Sequence, residues 1–364
     1  RLFRHPGGRR DLTGRVSTGS TCGGLDELDQ RGLDLRPRHP GQRRNLSGPL
    51  STSSTHGSPP LDLIHTRRRY WAHAAAPRNR PIDRWPLMGR VTQPVQVLRF
   101  EHGVAARRPD RLAVEEPLEL RLGGLAHAVT MRTPGHDIEL AHGWLHAEGV
   151  IAEATDVVRA QYCAGSVLDD DTGTPVNTYN VLDLTLAPGC AAPTPRDTYT
   201  TSACGVCGAD SIDSLSRHGR YELAADDTAV TAELLGSLPE ALRAQQRTFE
   251  STGGVHAAGL FAADGTPLVV REDVGRHNAV DKVIGWALLA GRLPLTGTVL
   301  QVSGRLSFEL VQKAYLAGVP IISAVSAPSS LAVETGRRLG LTVVGFVRGE
   351  SLNVYAHHRR VQTV

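Results

Sequence analysis

The sequence predicts an α/β protein built from a smaller β-rich α+β domain followed by a domain in which strands alternate with helices. Three observations predict it. The chain has 364 residues and a 40% hydrophobic fraction, enough to bury two cores. Short alternating apolar runs dominate residues 95–190, the period of half-buried strands. From about residue 231 onward, apolar runs alternate with helical stretches, the pattern of successive βα units around a parallel or mixed sheet with helices on both faces.

Residues 1–87 stand apart from both domains. They carry 16 Arg, no Lys and 7 acidic residues, a balance of +9, whereas the remainder carries 24 basic and 30 acidic side chains, a balance of −6. Rich in Arg, Pro, Gly and Ser, without a helical or strand period, and preceding the first methionine, Met88, this segment reads as a non-native or disordered extension. A basic arm for nucleic acid is the competing reading. The segment lacks the lysines and interleaved aromatics of such a surface, and the acidic remainder argues against a nucleic-acid partner.

The first domain is expected over 88–195. The runs LAVEEPLELRL and AHAVTMR, joined by Gly123 and Gly124, read as a hairpin. The stretch TPGHDIELAHGWLHAEGVI places Ile138, Leu140, Ala141, Trp144 and Leu145 on one helical face and ends at Gly149. Strands follow at Asp156–Tyr162 and Asn177–Leu186, and the Pro-rich stretch Pro188–Pro195 marks the boundary. The second domain, 196–364, is expected to run through a helix over Thr231–Phe249, strands HAAGLFAA and PLVVRE, helix Asn278–Leu289, strand TVLQV, helix Leu306–Ala317, strand PIISAV, helix Ser330–Leu339 and strand LTVVGFV.

Composition also bounds the setting. No apolar run is long enough to span a bilayer, and the basic opening Arg1–Arg10 is not followed by the apolar stretch of a secretory signal. Five cysteines make no disulfide framework, which suits a reducing compartment, read here as the cytoplasm.

In sheets of this kind ligands bind beyond the carboxyl ends of the strands. Those ends carry REDVGRHN, SGRLS, VSAPSS and RGESLN, four loops crowded with Gly, Ser and Arg. Backbone N–H groups at helix starts, with Arg, are what a phosphate-bearing ligand needs. Arg276 and His277 at one helix start, and Ser303 and Arg305 at another, are therefore candidate phosphate contacts. Asp273 and Asp281 are further candidates, with helix capping by Asp273 or Asn278 as the competing reading. His256, after Gly253 and Gly254, either enters the pocket or is structural.

The sharpest local feature is TSACGVCGAD, a C-x-x-C formed by Cys204 and Cys207 ahead of an expected helix near Ala209. Structural zinc needs two more ligands, and Cys163 and Cys190 are not at ligand spacing; both read as incidental. A thioredoxin-like disulfide wants the pair directly after a strand. A zinc deaminase is suggested by the H-x-E at His146-Ala147-Glu148. Its distance from the cysteines, and Ala203 where that signature has Pro, favour instead an exposed histidine at a helix end. Sulfur carriage needs an exposed thiolate of lowered pKa, which Gly205, Gly208 and a nearby helix start favour. Spacing alone does not separate it from redox chemistry.

The chain resembles the formate dehydrogenase accessory sulfurtransferases, the FdhD/NarQ family. The words that carry the resemblance are MRTPGHDIELAHGWLHAEGVI, TSACGVCGADSI, STGGVHAAGLF, REDVGRHNAVDKVIG, VSGRLSFELVQKA, VSAPSSLAVE and LTVVGFVRGESLNVY, in family order from about residue 110 to residue 356. The resemblance implies a second domain of cytidine-deaminase-like, three-layer α/β fold, which does not by itself imply deamination. It implies that sulfur is accepted from a cysteine desulfurase and passed to the molybdenum cofactor, as bis-molybdopterin guanine dinucleotide, before insertion into formate dehydrogenase. By position, Cys204 would be the persulfide carrier and Cys207 its partner. The cofactor-binding segment would be Phe346, Val347, Arg348, Gly349, Glu350 and Ser351. Family members often carry Arg at its last position, where this chain has Ser351, and Arg348 is the candidate substitute. A homodimer is expected, with no membrane partner. The alternatives are a non-catalytic molybdenum-cofactor chaperone and a zinc-dependent deaminase.

Overall fold

Two antiparallel ribbons open the computed structural model, which describes residues 90–163, 166–168, 175–177, 179–192 and 219–363. β1 (Thr92–Glu101) pairs with β2 (Val104–Ala113), and β3 (Glu116–Leu122) with β4 (Leu125–Arg132). The second is the expected hairpin, turned by Gly123 (φ 59°) and Gly124 (φ 85°). The first was not expected as a ribbon. Its strands are almost wholly exposed, so no buried face imposes the period that would reveal them. The extension 1–87, the domain boundary at 195/196 and the expected helix near Ala209 lie outside the described residues.

α1 (Asp137–Ala147) follows, buries Ile138, Leu140, Ala141 and Leu145, and closes at Gly149 in the left-handed region. Next come β5 (Val157–Cys163), β6 (Ser166–Leu168), β7 (Pro175–Asn177) and β8 (Val181–Leu186). β6 and β7 pair with each other, while the main sheet has the order β4-β3-β8-β5. One face of that sheet packs Leu118, Leu120, Leu122, Leu182 and Leu184 against α1.

The second half holds β9 (Val230–Thr231), α2 (Ala232–Arg243), α3 (Arg247–Thr252), β10 (His256–Ala262), β11 (Pro267–Asp273), α4 (Arg276–Leu289), β12 (Thr298–Val302), α5 (Phe308–Leu316), β13 (Ile321–Ala324), α6 (Ser330–Leu339), β14 (Thr342–Arg348), β15 (Ser351–Ala356) and β16 (Val361–Gln362). Six strands form one mixed sheet in the order β11-β10-β12-β13-β14-β15, and β9 pairs with β16. β12, β13 and β14 are parallel, and β10 is antiparallel to both of its neighbours. Hence β11, β12, β13 and β14 all end on one edge of the sheet.

α4, α5 and α6 cover one face through Val280, Val283, Val311, Ala314 and Ala332; α2 covers the other through Leu235, Leu238 and Leu242. This is the three-layer α/β arrangement expected. Several bounds differ from expectation. β15 was unexpected, and the strand expected over Asn177–Leu186 holds the last residue of β7 and all of β8. The helices expected from Asn278 and Leu306 start at Arg276 and Phe308, and the single helix over 231–249 is two helices. The N–H groups of Gln245 and Gln246 bond back only three residues, to Leu242 and Arg243. The chain restarts as α3 because Glu272 of β11 accepts the Thr248 and Phe249 N–H groups, both at 2.8 Å.

α1 lies against α4 as well as its own sheet. A Cβ on Gly143 would overlap the carbonyl of Asp281, and one on Gly285 would overlap that of Glu139. The two helices therefore run antiparallel in backbone contact, and α1 has no face left for solvent.

Candidate functional site

The edge where β11, β12, β13 and β14 end is a rim onto which the four Gly- and Ser-rich loops converge. The loops after β12 and β13 lie side by side through a parallel bridge between Leu306 and Pro328. The Phe346 N–H donates to Ser326 at 3.2 Å, tying the end of β14 to the same loops. No side chain caps the first turn of α4 or of α5, whereas Ser329 caps α6 by accepting the Ala332 N–H. The helix starts left open toward an anion are thus those carrying Arg276, His277 and the residues after Ser303.

Arg276, His277 and Ser303 come together with His256, the first residue of β10. Arg276 has its Nε buried without a partner among the described residues. His277 Nε2 lies 2.8 Å from Glu309 and 3.1 Å from Ser307 Oγ. The hydrogen bond from His277 holds the Glu309 carboxyl below its ordinary range. Arg305 is exposed on the same loop. Glu309 and Ser307 carry no local sequence signal; their role is visible only because α5 sets them against α4.

Phe346–Ser351 spans the end of β14, the Gly349–Glu350 turn and the first residue of β15, with β14 two strand spacings from β12, or roughly 10 Å. Phe346 stands at φ 55° and is 41% exposed, and Arg348, Gly349, Glu350 and Ser351 are exposed. Val347 differs: its side chain is wholly buried in the core beneath α2, leaving only its backbone for a ligand.

Asp273 anchors the turn ahead of α4 rather than facing the rim. It accepts the Gly275 N–H at 2.8 Å, the Asn278 amide at 3.0 Å and the Thr133 N–H at 3.2 Å, and pairs with Lys282 at 2.7 Å. Asp281 is buried and paired with Lys313 at 2.6 Å; burial raises its pKa. His146, expected to be exposed, is 5% exposed because α4 covers α1. Burial, then the charges of Arg220 and Lys313, push its pKa down to about 4.

Cys204 and Cys207 lie outside the described residues, but both flanks of their segment are described. The Ala152 and Glu153 N–H groups hold the Asp156 carboxyl below its ordinary range, and the charge of Arg220 and the thiol of Cys190 act on the same group. Arg220 also acts on His146. Since α1 and α4 are antiparallel, His146 lies toward the end of α4 that opens the rim.

The chain matches the FdhD/NarQ family over residues 113–362. Among curated relatives it is 55% identical to "Sulfur carrier protein FdhD" of Nocardia farcinica, over 76% of this chain and 98% of that one. It is 54% identical to the protein of that name in Streptomyces coelicolor, over 75% and 97%, and 51% identical to the one in Mycobacterium tuberculosis, over 75% and 100%. The crystal structure of a putative formate dehydrogenase accessory protein from Desulfotalea psychrophila superposes with a TM-score of 0.58 at 24% identity, over 75% of this chain and all of that one. That likeness concerns the fold.

Proposed function

The chain belongs to the FdhD/NarQ family, and on that premise we propose that it is a sulfur carrier serving formate dehydrogenase. The Cys204 thiolate attacks the outer sulfur of a desulfurase persulfide. A new S–S bond forms on Cys204, and the desulfurase cysteine leaves as its thiolate. The Cys207 thiol then attacks the inner sulfur, giving a Cys204–Cys207 disulfide and releasing the outer sulfur as hydrosulfide. Cys207 thus supplies the electron pair, and a cellular dithiol later reduces the disulfide. The acceptor is the molybdenum of bis-molybdopterin guanine dinucleotide, bound as cargo, on which hydrosulfide replaces an oxo ligand; that oxygen takes up the hydrosulfide proton and the proton given up by the Cys207 thiol and departs as water.

The observation that carries the cargo half of this reading is the rim itself. Arg276, His277, Ser303 and Arg305 surround open helix starts, and the Phe346–Ser351 turn lies at a separation suited to an extended dinucleotide. The relatives' name, sulfur carrier, supports the other half. The working partners are a cysteine desulfurase and the formate dehydrogenase apoprotein, in the cytoplasm, with the carrier as a homodimer. No helix among the described residues is long and apolar enough to cross a membrane.

Mass spectrometry after incubation with a cysteine desulfurase and cysteine tests the carrier. The unaltered chain is expected to gain sulfur, and Cys204→Ala none. Equal labelling of both would reject Cys204 as the carrier. Formate dehydrogenase activity undiminished by Cys204→Ala would favour a chaperone that only delivers cofactor, and stoichiometric zinc on the cysteine pair would favour a deaminase.

A further inference from the structure

His256 stands on the rim with its Cα opposite that of Asp273 at the end of β11. Its Nδ1 lies 3.5 Å from the Ser303 hydroxyl, which already accepts the Ala257 N–H at 2.9 Å. A serine oxygen so placed keeps one proton to donate and one lone pair to offer, so it faces a neutral or a protonated imidazole equally well. The loop carrying Ser303 passes between the ring and Arg276. A Cβ on Gly304 would lie 3.4 Å from the His256 ring and 3.9 Å from Cδ of Arg276. The charged groups whose fields reach His256 are Arg276 and His277 from α4 and Asp273 from β11. Asp273 is paired with Lys282, and Glu309 with His277, so neither carboxylate is left to balance a further cation. Burial first, then Arg276 and His277, accordingly hold the His256 pKa below the ordinary histidine value.

We propose that His256 is a ligand-binding residue of this rim that takes up a proton when a diphosphate diester settles against Arg276 and Ser303, adding a positive charge only in the loaded state. The inference rests on the cofactor site proposed above, because an esterified diphosphate is the anion that a guanine dinucleotide presents. In the empty rim His256 is largely neutral at pH 7. An adjacent dianion offsets Arg276 and His277 and raises the imidazole pKa, so a proton enters with the ligand between the two values. Affinity then falls as pH rises, approaching about tenfold per pH unit within that interval. Ser303 turns from donor to acceptor as the ring gains its proton, so neither state leaves Nδ1 unpaired.

Calorimetric titration of the full chain with diguanosine diphosphate tests this, because its esterified phosphates carry no titrating proton near neutral pH. Run at pH 7 in buffers of unlike ionisation enthalpy, it is expected to show net proton uptake by the unaltered chain and none by His256→Gln, whose weaker binding should be independent of pH. The imidazole NMR signal of His256 in the unaltered chain gives a reading that needs no variant: its pKa must rise on binding. Binding without uptake, or uptake retained in His256→Gln, overturns the role of His256 and leaves the cofactor site standing. Absence of binding at every pH overturns both.

Discussion

Lys282 Nζ lies 2.7 Å from Asp273 Oδ2, with 1% and 0% of the two side chains exposed, and this pair fixes the start of α4 beneath the rim. Lys282 also donates to the Thr133 carbonyl at 2.9 Å, while Asp273 accepts the Thr133 N–H, so both partners bind one residue of the first half. Such a pair is costly to break from one side, because the surviving charge stays buried. Lys282→Met is expected to cost about 3–5 kcal/mol in urea unfolding. Adding Asp273→Asn should recover much of that loss; a double variant no more stable than Lys282→Met would reject the pairing account.

Gly143 and Gly285 let α1 and α4 touch backbone to backbone. Gly143→Ala sets a methyl group against the Asp281 carbonyl, which cannot rotate away, and should cost about 3 kcal/mol or more. At the end of the same helix Gly149 has φ 73° and open space around its Cβ position, so Gly149→Ala meets only backbone strain, about 1–2 kcal/mol. Thermal unfolding should rank the two in that order, and the reverse order would contradict the close crossing.

His146 links stability to acid. Its folded pKa, about 4, lies below the ordinary value of 6.5, so the unfolded chain takes up a proton that the folded chain refuses. The contribution is fully present above pH 6.5 and is lost as pH falls from there toward 4, of the order of 3 kcal/mol in all. His146→Leu should remove that part of the acid slope. Parallel stability profiles for the two proteins would show that the imidazole titrates normally.

Phe346 combines an exposed ring with a left-handed backbone at φ 55°, a conformation that asparagine adopts more readily. Phe346→Asn is therefore expected to leave stability unchanged or raise it by up to about 1 kcal/mol, while weakening diguanosine diphosphate binding several-fold. Unchanged affinity would remove the ring from the ligand site.

Much of the sheet domain was legible because its signals are local. Ser330–Leu339 was read to the residue, since Ser329 caps it and Gly340 ends it at φ 77°. Thr298–Val302 was equally plain, a wholly buried apolar run. The break between α2 and α3 was not legible, because the group that caps α3 is Glu272, on a strand more than twenty residues away. His146 was misread for a related reason. Helical periodicity shows which face meets one partner, but not that a second helix closes the opposite face.

From composition and order of residues alone come the α/β class, the alternation of strands and helices, the four polar loops, and the family words that point to sulfur carriage. These depend on contacts between neighbours in the chain. Which loops share an edge, which carboxylates are consumed by Lys282 and Lys313, and that His256 stands across the Ser303–Gly304 loop from Arg276 were decided only in three dimensions. Strand order and the antiparallel contact of α1 with α4 bring together residues far apart in the chain, and their charges and hydrogen bonds act through space.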